Sequence, residues 1–122
     1  MVNVFRIIGS PGYSLDEAGI RDAAARSFDR AHDPDGVRRQ LAAILSAPDR
    51  RPLLRGLRLP ALVVHGEVDP LIRPVGGRAT ARAIPGAKLV VFPGMAHDLP
   101  TELQPDIADE ISVLARRWTP TP

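Results

Sequence analysis

Two short stretches carry side chains that could do acid–base chemistry. "LVVHGEVDPLIRP" runs from Leu62 to Pro74, and "LVVFPGMAHDLP" from Leu89 to Pro100. Each is an apolar, β-branched run that breaks into a turn. The first turn presents Asp69 and the second presents His97. A carboxylate that accepts from one imidazole nitrogen fixes the tautomer and stabilises the imidazolium formed when the other nitrogen takes a proton. That chemistry requires the two turns to lie side by side.

The elements around them predict that they do. Pro60 precedes "ALVVH", a run too short for a helix and without alternation, as in a strand buried on both faces. Pro74 suits a helix start, and Ala79 and Ala83 carry the helix towards "IPGA". "KLVVF" (88–92) is a second strand of the same kind. Strand, helix and strand within about 30 residues form a βαβ unit, with parallel strands and a right-handed crossover. Parallel strands end on a common edge of the sheet, where catalytic groups of open α/β sheets gather. Thr101 with Gln104 then reads as a capping box, with Pro105 in the first turn. Ile107, Ile111, Leu114 and Trp118 mark the apolar stripe of a closing helix before the "TPTP" tail.

Upstream, residues 1–58 read as helical. "VNVFRII" is apolar without a clean period and reads as the tail of a helix rather than a strand. "SLDE" reads as a capping box with Ser14 at the N-cap, followed by Ile20, Ala24, Phe28 and Ala31 at helical spacing. "DPDG" breaks that helix. Val37, Leu41, Ile44 and Leu45 form one face of the next, and Asp49 is placed to cap a further short turn.

Composition narrows the function classes. The 122 residues suit one domain, and 44% apolar content supports a core. With no cysteine, disulfides and thiolate metal sites are excluded. The pI of 9.9 hides a net charge of only +2. The cations are 15 Arg and one Lys, scattered among carboxylates, and five aromatic residues leave little to stack on bases, so no nucleic-acid partner is expected. No apolar run approaches 18 residues and no leader pattern is present, so a cytoplasmic chain without a membrane span is expected. His65, Asp69 and His97 follow no metal-binding motif, and neither metal nor cofactor is expected.

"PALVVHGEVDPLI" followed by "GRATARAIPGAKLVVFPGMAHDLP" resembles the C-terminal portion of α/β-hydrolase-fold enzymes. The resemblance is to the esterase and lipase-like branch that includes aclacinomycin methylesterase-type proteins. It is strong over 60–100 and weaker over 9–58, where the sequence looks like the later half of the family's helical cap. It implies an α/β fold in which a partial helical cap (1–58) precedes the last two parallel strands and helices of the core (59–122). In the family the triad runs nucleophile, acid, histidine. Asp69 matches the triad acid and His97 the triad histidine, and the implied partner is a small-molecule ester. Ala96 stands where relatives often carry Gly. His65 is expected to support the acid loop, Glu67 lies two residues off the acid position, and Asp98 is expected to be a loop or capping group.

The family nucleophile sits in G-x-S-x-G, and no such pentapeptide occurs here. Ser14, Ser27, Ser46 and Ser112 read as helix caps and helix positions. Ser10, in "IGSPGY", lacks the spacing and the preceding strand, and reads as a loop serine. The oxyanion hole draws on the residue after the nucleophile and on an early loop, so it is missing too. Two strands alone make a weak sheet, and an unpaired apolar edge invites self-association. The expectation is therefore a C-terminal fragment, from a truncated gene or a late start, inactive alone. The alternative is a non-catalytic remnant or interaction module.

Overall fold

The computed structural model describes residues 1–117; Trp118 and the "TPTP" tail lie outside the described residues. Six α-helices and two strands follow in the order α1 (Val2–Ile8), α2 (Glu17–Arg30), α3 (Pro34–Ser46), α4 (Arg51–Arg55), β1 (Leu62–Gly66), α5 (Pro74–Ala83), β2 (Lys88–Phe92) and α6 (Gln104–Arg117). A 3₁₀ turn, Thr101–Leu103, leads into α6.

Two predicted capping boxes do not form. α2 begins at Glu17 because the Asp16 carboxylate accepts from the Gly19 amide at 2.8 Å, a bond Ser14 is one turn element too early to make. The Ser14 amide instead donates to Glu102, and Glu17 pairs with Arg6 of α1. At α6, Thr101 opens the 3₁₀ turn and caps nothing with its side chain. The break at "DPDG" is as expected. Asp33 accepts from the Gly36 amide at 2.9 Å and Pro34 takes the first position of α3. Asp49 likewise accepts from the Arg51 amide ahead of α4. α3 packs against no other described element, and Val37, Leu41, Ile44 and Leu45 are exposed.

β1 and β2 pair in parallel, with Leu62 opposite Lys88 and Gly66 opposite Phe92. α5 lies against both strands and α6 against β1. The strands are half-buried along most of their length rather than buried on both faces, since among the described residues only α5 and α6 are laid on them. The single lysine, Lys88, reaches Glu110 of α6 at 2.5 Å and ties strand to helix.

At its C-terminal end β1 closes on Gly66. A Cβ there would sit 2.4 Å from the carbonyl oxygens of both Met95 and Ala96. Only glycine lets the loop after β2 come this close to the loop after β1. Its approach is fixed by the amides of Glu67 and Val68, which donate to the carbonyls of Phe92 and Met95 at 3.1 Å each. Gly76, inside α5, has nothing nearer its notional Cβ than an Ile72 methyl at 3.5 Å. Gly66→Ala is therefore expected to lower stability by about 1–3 kcal/mol in urea denaturation. Gly76→Ala is expected to raise it by about 0.5–1 kcal/mol.

Candidate active site

The two loops emerge together from the C-terminal edge of the sheet. The first is an Asx-type turn built around Asp69, which is 7% exposed. Its Oδ1 accepts from the amides of Leu71 and Ile72, each at 2.8 Å. Its Oδ2 faces His97 Nδ1 at 2.9 Å. The carboxylate is thus divided, one oxygen fixing its own turn and the other reaching across to the second loop.

His97 is carried by "PGMAHD". Gly94 makes the turn after β2 with a φ of +69°, a conformation that L side chains rarely adopt. Met95 and Ala96 then plunge into the interior at 4% and 3% exposure. The imidazole emerges with 37% of its side chain accessible. Donation from Nδ1 to a carboxylate assigns the proton to that nitrogen and leaves a lone pair on Nε2. Among the described residues Nε2 makes no hydrogen bond. His97 borders an open cleft of about 280 Å³ lined in part by His65, Asp69, Ile72, Met95 and Leu99.

His65 holds the acid loop from beneath. Its Nε2 donates to the Ile72 carbonyl at 2.8 Å and lies 3.9 Å from Asp69 Oδ2. Gly77 of α5 makes room for the ring, since a Cβ there would meet His65 Nδ1 at 2.6 Å. Glu67 is exposed and joins the loops only through its amide. Among the described residues no three His, Asp or Glu side chains cluster to hold a metal ion, and no helix is long and apolar enough to cross a membrane.

Sequence reasoning missed how tightly residues 8–13 grip the histidine loop. The Ile8 carbonyl accepts from the His97 amide at 2.9 Å, and the Gly12 amide donates to the Gly94 carbonyl at 3.0 Å. The Tyr13 hydroxyl donates to the Pro93 carbonyl at 3.0 Å. Ser10, 8% exposed, accepts from the Ala96 amide at 2.8 Å and donates to the Asp98 carboxylate. Its hydroxyl is thus committed on both sides. The glycines of "GSPG" were the available signal, marking a backbone that passes close to another.

Burial alone would raise the Asp69 pKa, but the hydrogen bonds from His97 and from the Ile72 and Leu71 amides outweigh it and hold the carboxyl below its ordinary 3.8. A depressed carboxyl contributes stability that is complete above the unfolded value and is lost as pH falls through the lower folded one. The stability difference between wild type and Asp69→Asn, read by urea denaturation, is expected to narrow as pH falls below 3.8.

The surroundings of this pair match known proteins. Residues 42–111, more than half of the chain, fit the family described as TAP-like protein. A bifunctional esterase/perhydrolase of Acinetobacter calcoaceticus is 32% identical over 57 residues, which are 46% of this chain and 21% of that protein. A thermophilic esterase from Thermogutta terrifontis, solved with malate bound, superposes with a TM-score of 0.52 at 33% identity. That match covers 59% of this chain and 26% of the esterase. The chain thus spans about a fifth to a quarter of the length of these relatives. With its βα layering and its match across 42–111, the chain belongs to the TAP-like protein family of α/β-hydrolases.

Proposed function

We propose that this chain supplies the acid and the base of a carboxylic ester hydrolase. The 2.9 Å contact between Asp69 Oδ2 and His97 Nδ1, at the shared edge of two parallel strands, carries the reading. Support comes also from the esterase/perhydrolase and esterase names of the two relatives. The resemblance of residues 60–100 to aclacinomycin methylesterase-type proteins points to the same bond.

In this reading Asp69 keeps the Nδ1–H tautomer, and His97 Nε2 removes the proton from an attacking hydroxyl as its oxygen bonds to the ester carbonyl carbon. The same proton passes to the departing alkoxide when the C–O bond breaks. Water then repeats the sequence on the acyl intermediate. The nucleophile and one oxyanion donor come from a G-x-S-x-G segment and the second donor from an early loop, both outside these 122 residues. Residues 1–58 act as part of a helical cap over the site, and 59–122 as the end of the core.

The reading is tested by extending the reading frame upstream through an in-frame G-x-S-x-G and assaying a short-chain p-nitrophenyl ester. The extended protein is expected to hydrolyse it. His97→Ala is expected to lower kcat by about 10³-fold or more, and Asp69→Asn by up to about 10⁴-fold. The 122-residue chain alone is expected to stay at the buffer rate. Wild-type turnover by a folded His97→Ala variant, or the absence of any upstream nucleophile motif, would sink it.

A second reading, self-association, is favoured by a sheet that among the described residues has two strands, each hydrogen-bonded on one edge alone. The isolated chain is then expected to sediment as dimers or larger species at tens of micromolar. Val63→Lys is expected to shift it towards monomer.

A further inference from the structure

We infer that Ser10 and Asp98 form a positioning pair that aims the His97 imidazole, an inference that rests on reading His97 as the base. Ser10 lies two residues after the end of α1 and 86 residues from Ala96 in sequence, yet its oxygen is 2.8 Å from the Ala96 nitrogen. The same hydroxyl donates to Asp98 Oδ1. One oxygen therefore binds the residue before His97 and the residue after it. The His97 amide itself is held by the Ile8 carbonyl at 2.9 Å. Three consecutive residues of the loop are anchored to a segment only three residues long.

The arrangement is suited to orientation because each bond is hard to replace. Ala96 is 3% exposed, so its amide has little access to water if Ser10 is lost. A buried donor left without a partner is costly enough to make the loop seek another conformation. Asp98 is an acceptor with a charge, and hydrogen bonds to charged groups are the stronger kind. The backbone is held at Ala96 and at His97 itself, the following residue is held by its carboxylate, and Asp69 fixes the imidazole through Nδ1. The base is thus oriented from two directions. Asp69 holds the ring, and Ser10 holds the loop that carries it, through the Ala96 amide and the Asp98 carboxylate. Neither Ser10 nor Asp98 needs to touch a reacting atom, and both are positioning residues.

Gly9 and Gly12 make the approach feasible. A Cβ on Gly9 would lie 2.3 Å from the Phe5 carbonyl oxygen and 3.4 Å from Asp98 Oδ2. One on Gly12 would lie 2.8 Å from the Gly94 Cα. The backbone on both flanks of Ser10 is therefore shaped to bring the hydroxyl to this loop.

The test reads the imidazole in the ¹⁵N-labelled 122-residue chain by NMR, and needs no hydrolysis. In the wild type, His97 is expected to show one tautomer with a slowly exchanging Nδ1–H. Ser10→Ala and Asp98→Ala are each expected to speed that exchange at least tenfold and to mix the tautomers. Asp98→Asn is expected to stay near wild type, because its amide oxygen still accepts from Ser10. Ser112→Ala, which removes a hydroxyl bonded within α6, is expected to change nothing at His97. Should Ser10→Ala fail to fold, the Asp98→Ala and Asp98→Asn pair tests the same bridge. Unchanged His97 signals in a folded Ser10→Ala or Asp98→Ala variant would overturn the inference, as would Asp98→Asn behaving like Asp98→Ala. If the extended enzyme proved inactive while these spectra behaved as expected, the catalytic reading would fall and the bridge would stand.

Discussion

The Asp69 carboxylate is the joint on which the site depends. Its two oxygens do different work. Oδ1 gathers the amides of Leu71 and Ile72 and so builds the turn that carries the residue. Oδ2 spans to the second loop and holds His97. Neither task would succeed alone, since an unformed turn could not aim the second oxygen. His65 strengthens the same turn by binding the Ile72 carbonyl. The site is thus assembled from short-range bonds inside each loop, with one long-range bond between them.

Those loops meet because of chain topology and one missing side chain. A parallel pair joined by α5 delivers both strand ends to one edge, and in-register pairing sets Gly66 beside Phe92. The carbonyls of Met95 and Ala96 then occupy the space where any larger residue would carry its Cβ. A crossover alone would bring the loops near one another. Gly66 brings them into hydrogen-bonding reach.

Much of this arrangement was legible in the residues themselves. "KLVVF" is β2 to the residue, and "ALVVH" differs from β1 by one position at each end. Asp69 and His97 stood out because each sits in the turn that ends a β-branched run. The errors came where two local signals competed. Ser14 and Thr101 each fit a capping pattern, but Asp16 lay nearer the true helix start, and Pro100 led Thr101 into a 3₁₀ turn. The Ser10 contacts were out of reach for a different reason. They join residues nearly ninety positions apart, and no local pattern encodes such a partnership.

α3 stands apart from this cooperation. Its start is secured by Asp33, and exposed Arg–Asp pairs such as Arg39 with Asp33 lie along its surface, but it leans on no other described element. Interactions of that kind are local and weak. Its amide hydrogens therefore exchange with solvent through fraying of the helix itself, at rates set by a few residues. Those of β1 and β2 wait for the sheet to open. Within one short polypeptide, the length of time a backbone proton survives in heavy water would draw the boundary between what is merely coiled and what is truly folded.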